Sequence, residues 1–267
     1  AGADAYNIAI GYNAGSLITT GVQNTIIGGL SADAMTEGTR NVAVGLASMG
    51  ADTKSSKNVA IGHGTLASQN NTSATDSSNV AVGYEAGNDI TTGIQNTILG
   101  ALAGDSLTDA DRNTVLGFQA LTTDTQGSRT VAIGYNALAT QNFTSATNSY
   151  NTAVGYGAGE VITTGVSNTL IGSLSGDSLT DADNNTTLGY LALSADTQGS
   201  LSTAIGKSAL ANQNFTSATS SFNTAVGAGA GEQVTTGIEN TIIGGLAGDA
   251  LTTGKEQIAI GYEALSA

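Results

Sequence analysis

Aliphatic and polar positions alternate along this chain in fifteen short bursts, each reading Asn, β-branched residue, variable residue, aliphatic residue, Gly. The bursts begin at Asn7, Asn24, Asn41, Asn58, Asn79, Asn96, Asn113, Thr130, Asn151, Asn168, Asn185, Ser202, Asn223, Asn240 and Gln257. Their spacing runs 17, 17, 17, 21, repeats that series twice more, and closes with two steps of 17. Four coils therefore make a 72-residue super-repeat, at 7–78, 79–150 and 151–222, with a partial copy at 223–267. Self-similarity at a fixed short period is the mark of a solenoid, whose units bury their apolar side only against neighbours. The fold class expected is all-β: a parallel β-roll or β-helix of about 15 coils of 17 or 21 residues, one domain over 1–267.

Within a burst, the residue after Asn is always Val, Ile or Thr, and the residue two further on is always aliphatic, as at Ile27, Val44, Ile61 and Val82. A strand alternates sides, so these two share a face. That face is expected to be the core. The residue between them is often Ala, as at Ala43, Ala60 and Ala81, and bulkier at Ile26, Ile98, Leu170 and Ile242. Its face is expected to be open to a neighbour or to solvent. Gly then closes every burst, as at Gly11, Gly28, Gly45, Gly62, Gly83, Gly100 and Gly155. A fixed Gly implies a positive φ or a close backbone approach at a corner. Three residues later the side chain is always small (Ala14, Ser31, Ser48, Thr65), and the next position varies by coil type (Gly15, Ala32, Met49, Leu66). A second short inward segment is therefore expected, giving two strands and two turns per coil. The repeated amides, Asn24, Asn58, Asn79, Asn96 and Asn151 among them, read as structural. Asn tolerates left-handed turns, and amides stacked coil over coil can form a ladder. At ~4.8 Å per strand, the coils would make a rod roughly 70 Å long.

Composition sharpens this picture. The chain has 37 Gly, no Pro and no Cys, and only 4% aromatic residues. Pro removes ladder donors, so its absence suits a chain that is paired throughout. No cofactor is implied, and without Cys there are no disulfides or thiolate metal sites. The formal charge of −14 argues against a nucleic-acid partner. No apolar run approaches the ~18 residues a membrane span needs, so membrane insertion is not expected. The first residues match the close of a fourth coil and the last stop inside a third. Both ends read as cut from, or continuing into, a longer rod, with end-to-end stacking of chains as the alternative.

Several motifs invite chemistry. Asp105, Asp109 and Asp111 recur as Asp177, Asp181 and Asp183. Spaced carboxylates can hold Ca²⁺, but neither an EF-hand nor the Gly-rich nonapeptide pattern is present, so solvated turns are the main reading. The 21-residue coils carry QNNTSATDSS, QNFTSATNSY and QNFTSATSSF, with Phe143 and Phe215 in two of them. These bulges are candidate contact knobs, or insertions with the ring folded back over the roll. Tyr12, Tyr84, Tyr135, Tyr156, Tyr190 and Tyr262 follow the corner Gly, with Phe118 and His63 at the same place. Such a column is either an exposed strip that binds sugars or packing along an edge or subunit interface. Glu37, Glu85, Glu160, Glu232, Glu239, Glu256 and Glu263 supply carboxylates for glycoside hydrolysis in principle. No coil is expected to break the pattern and build the cleft this chemistry needs, so an enzyme is not expected. Thr pairs such as Thr19/Thr20 and Thr91/Thr92 recur only every fourth coil, too sparsely for an ice-binding array.

The coil starts NVAVG (Asn41, Asn79), NVAIG (Asn58), TVAIG (Thr130) and NTAVG (Asn151) resemble the head repeats of trimeric autotransporter adhesins. The longer unit NTxIGxxAGxxxTTGxxNT is similar to repeats of phage tail-fibre and related bacterial surface proteins. The resemblance covers essentially the whole chain, although adhesin-head repeats are shorter than 17 residues. It implies a left-handed parallel roll, three chains to a head, on a virion or cell surface. The function expected is thus a structural or adhesive fibre segment that presents a host- or surface-binding tip. Its partners would be copies of itself, as a homotrimer or stacked end to end, and a cell-surface glycan or receptor. A self-assembling extracellular filament and a carbohydrate-active solenoid are the alternatives.

Overall fold

The computed structural model describes residues 4–266. The chain is an all-β parallel solenoid of fifteen coils, and no helix occurs among the described residues. It divides into two units. One runs up to Thr130 and includes Asn142–Thr147; the other comprises Val131–Gln141 and the chain from Asn148 onward.

In the first unit each coil contributes one three-residue strand: Ile8–Ile10, Thr25–Ile27, Val42–Val44, Val59–Ile61, Val80–Val82, Thr97–Leu99 and Thr114–Leu116. In the second they are Val131–Ile133, Thr152–Val154, Thr169–Ile171, Thr186–Leu188, Thr203–Ile205, Thr224–Val226, Thr241–Ile243 and Ile258–Ile260. Pairing is parallel and in strict register within each unit. Val42, Ala43 and Val44 face Val59, Ala60 and Ile61, and Thr169, Leu170 and Ile171 face Thr186, Thr187 and Leu188. The 21-residue coils keep this register, because their extra residues are looped out elsewhere.

The two faces of these strands are the reverse of the expected ones. The middle residue points inward: Ile26, Ala43, Ala60, Ala81, Ile98 and Leu170 are fully buried. The flanking residues point out, with Leu99 44% and Leu188 48% exposed. The reason is volume. The interior also takes the side chain six residues further on, and the two positions compensate. Where the middle residue is large, as at Ile98, glycine stands at Gly87 in the coil before and Gly104 in its own coil. A Cβ on either would meet Ile98 Cδ1 at 3.0 and 3.4 Å. Where the middle residue is Ala43 or Ala60, the partner is Met49 or Leu66, both fully buried. Leu170 repeats the arrangement in the second unit between Gly159 and Gly176.

The segment after the corner is inward-facing, as expected, but it is a strand in no described coil. Its backbone alternates into the left-handed region at Leu30 and Ala32 and again at Ala47 and Met49. It still ladders along the axis: Leu30 N–H donates to Tyr12 O at 2.8 Å and Ala32 N–H to Ser48 O at 2.8 Å. Second strands form only beside the bulged coils, as Ser55–Ser56 with Thr75–Asp76 and Gly199–Ser200 with Thr219–Ser220. The corner glycine meets both demands at once. Gly28 has φ of 139°, and a Cβ there would collide with the carbonyl oxygen of Gly45 in the next coil.

Candidate functional site

The burst-leading Asn residues form buried amide columns. Asn24 N–H donates to Asn7 Oδ1 at 2.8 Å, Asn24 Nδ2 donates to Gly38 O at 2.8 Å near the close of its own coil, and Asn24 Oδ1 accepts from Asn41 N–H at 2.9 Å in the coil beyond. Asn58 and Asn79 continue the column, each N–H taking the preceding Oδ1 at 2.9 and 3.0 Å. Asn96 does the same on Asn79 at 2.8 Å. Each amide therefore satisfies three coils. The left-handed residue is the one before the Asn, as at Gln23, Arg40 and Lys57, rather than the Asn itself. Where a fourth coil lacks the amide, at Ser202, Asn223 N–H turns instead to Ser221 Oγ at 3.4 Å. Asn151 likewise turns to Ser149 Oγ at 3.3 Å.

The rings of Phe143 and Phe215 fold back over the roll rather than standing out from it. Each is 6% exposed, folded over Gly127 and Gly199 respectively. Beneath Phe215 lies a polar network that the motifs did not point to. Asp196 Oδ1 accepts from Gly199 N–H and Phe215 N–H, both at 3.0 Å, and Oδ2 accepts from Gln213 Nε2 at 2.6 Å. Gln213 Oε1 in turn accepts from Asn223 Nδ2 at 2.8 Å. Burial pushes Asp196 above the usual carboxylate range, against the pull of these bonds. The legible signal was an Asp three residues ahead of Ser55, Gly127 and Gly199 in the third coil of each complete super-repeat, the spacing of a side-chain-capped turn.

The candidate calcium acids are distributed over different jobs. Asp105 Oδ1 accepts from Thr122 Oγ1 at 2.6 Å, Asp111 Oδ1 from Ile94 N–H at 2.9 Å and Asp183 Oδ1 from Val166 N–H at 2.8 Å. Asp109 and Asp181 accept only from the neighbouring Thr108 and Thr180. Among the described residues no three acids or histidines gather around a common point. Asp177 is raised to about 6, first by desolvation and then by Glu160 one coil away, against a bond to its own backbone; its Oδ1 is buried without a partner.

Two surface features remain. The first is the outward face of the long strands. Its first position is Thr, Val or Ile and its second Ile, Val or Leu in every coil, with no charged residue at either position. Ile61, Leu99 and Leu116 in one unit and Ile171, Leu188 and Ile243 in the other lie more than a third exposed.

The second is the column after the corner glycine, whose aromatic rings all stand exposed. His63 and Tyr84 stack at 5.3 Å between centroids and 9° between planes, and Tyr135 and Tyr156 at 5.2 Å and 7°. The ring faces thus look along the solenoid axis. Hydrogen bonds to the adjacent Glu85 and Glu263 lift the phenols of Tyr84 and Tyr262 above their ordinary value. At Lys207, Ala228 and Gly245 three coils in succession carry no ring, and a hollow opens there.

Comparison of the chain with family models, with curated proteins and with solved structures gave no match.

Proposed function

We propose that this chain is a structural segment of an extracellular fibre, built from parallel copies of itself joined through the outward strand face. The observation that carries the reading is the repetition there of one aliphatic side chain per coil, exposed or half-exposed, with no charge to keep it in water. Fully burying one such side chain is worth roughly 1.5–3 kcal/mol, and about 1 kcal/mol remains to be gained where it is already half covered. Over fifteen coils the gain reaches the upper end of the roughly 4–15 kcal/mol that association costs. A second copy fits this face better than any other partner, because it repeats the same ~4.8 Å step and the same order of coil types. Each aliphatic row then meets its equivalent, a self-complementary contact that cyclic symmetry closes. Three chains is the number implied by the resemblance to adhesin heads. A virion or a bacterial surface, with a recognition tip carried elsewhere in the fibre, is the setting implied by the same repeats.

The chain lacks Cys, so one introduced thiol reports its own surroundings. Thr186→Cys, exposed on the outward face, is expected to give covalent dimers on oxidation, whereas Asp109→Cys in an exposed turn is not. A Thr186→Cys chain that remains a single species after oxidation contradicts the proposal.

A further inference from the structure

The column after the corner glycine lacks a ring at one or two coils at a time, as at Gly29 and Leu46, Ala101 and Ser173, and at three in succession only at Lys207, Ala228 and Gly245. In the three complete super-repeats the first coil carries Tyr12, Tyr84 and Tyr156 after its corner glycine; the partial fourth carries Ala228 there. The coil before it has Lys207 in place of His63 or Tyr135, and the coil after it has Gly245. Main-chain bonds from Gly229 to Lys207, Leu246 to Ala228 and Glu263 to Gly245, at 2.9, 2.9 and 3.0 Å, hold the four positions in one column ending at Tyr262. Three ladder steps, about 14 Å, thus separate Lys207 from Tyr262, with almost no side chain between. The result is a hollow of 390 Å³ floored by Ala228, Gly229, Gly245 and Leu246. Such a volume lies within the ~300–1,000 Å³ of small-molecule sites.

We infer that this hollow binds a neutral pyranose unit of a glycan. Tyr262 forms one wall: its ring lies over Gly245, where a Cβ would come within 3.6 Å of Cδ2, and it is 73% exposed. The axial C–H groups of a pyranose carry slight positive charge, and the face of an aromatic ring is negative, so sugar and ring stack. The hydroxyls of that sugar need donors and acceptors around its rim. Lys207 supplies a donor and makes no ion pair among the described residues, although the other lysines do. Glu232 supplies an acceptor, its Oε2 hanging 3.3 Å from a Cβ placed on Gly229, and the Ser208 hydroxyl adds both functions. The lining charges cancel, which suits an uncharged polyol; in a chain of net charge −14 an anionic ligand would be disfavoured. The site stands independently of the self-association reading, which concerns the outward strand face.

The test uses the full chain with the methyl β-glycosides of glucose, galactose and N-acetylglucosamine, and glucuronate as the charged control. Saturation-transfer NMR should show contact to at least one neutral glycoside, with Kd on the order of 1 mM or tighter. Ala228→Tyr restores the ring that the other super-repeats carry at this position and should weaken binding at least about tenfold. Its sedimentation coefficient should be unchanged, which shows that fold and assembly are intact. Tyr262→Ala should lose binding similarly. The inference is overturned if no neutral glycoside binds saturably, if Ala228→Tyr binds as the parent does, or if glucuronate binds as well as the neutral sugars.

Discussion

Asn58 places both its main-chain N–H, at 2.9 Å, and its Nδ2, at 3.2 Å, on the Oδ1 of Asn41 one coil earlier. Asn41 Nδ2 meanwhile donates to Ser55 O at 2.9 Å near the close of its own coil. With its main-chain N–H on Asn24 Oδ1 at 2.9 Å, the residue ties three coils, and none of its atoms reaches water. Replacing Asn41 with Ala strands a buried N–H and a buried carbonyl. At about 1–3 kcal/mol for each orphaned group, the loss should be about 2–6 kcal/mol by denaturant titration. Asn41→Asp keeps the acceptor for Asn58 and loses the donor to Ser55, and should also destabilise.

The two faces of a strand should respond oppositely. Ile98 is fully buried, and Ile98→Ala should cost about 2–5 kcal/mol whatever the protein concentration. Leu99 beside it is 44% exposed. Leu99→Ala should change stability mainly through association, so its effect should appear as a shift in melting temperature that depends on concentration.

Two adjacent glycines separate backbone demand from space. Gly28→Ala meets both a left-handed φ and the Gly45 carbonyl, and should cost on the order of 3 kcal/mol. At Gly29 the added methyl would lie 3.4 Å from Leu46 Cδ1, near an ordinary contact, and Gly29→Ala should be nearly neutral. Thermal melts of the two variants check this.

Asp177 sets a pH dependence. Its folded value, about 6, lies above the ordinary 3.8, so the folded chain holds the proton more tightly than the unfolded chain. The stabilisation is complete below the unfolded value and is lost as pH rises through about 6. Burial raises Asp52 and Asp196 in the same direction. Asp177→Asn should flatten the fall in stability between pH 4 and pH 7, by an amount on the order of 1 kcal/mol given its partial exposure. Denaturation midpoints measured across that range report it.

Much of this architecture was legible in the residues. The 17- and 21-residue steps mark the coils, and an invariant Gly marks each corner because only Gly tolerates that φ against a neighbouring carbonyl. The direction of the strand faces was not legible from alternation alone, because both faces of T-A-V or V-A-I are apolar. Hydrophobicity ranks Val and Ile above Ala, yet the narrow interior takes the Ala. The clue lay in paired sizes, Ile98 with Gly104 against Ala60 with Leu66, since volumes compensate only when two side chains share one space. The fate of Phe143 and Phe215 was equally hidden: an aromatic ring in an insertion reads as exposed until Asp196 and Gln213 are seen to hold the loop inward beneath Phe215. The hollow at Ala228 could be read only once the tyrosines were known to stack as a column, which makes a missing ring a space.

The claim at the centre of this account is that the outward strand face is covered by copies of the same chain. Sedimentation equilibrium at micromolar concentration tests it most directly. A single species of three times the 26.3 kDa chain mass is the predicted result, with Ile171→Asp together with Ile243→Asp lowering it. A parent chain that sediments at 26.3 kDa would contradict it.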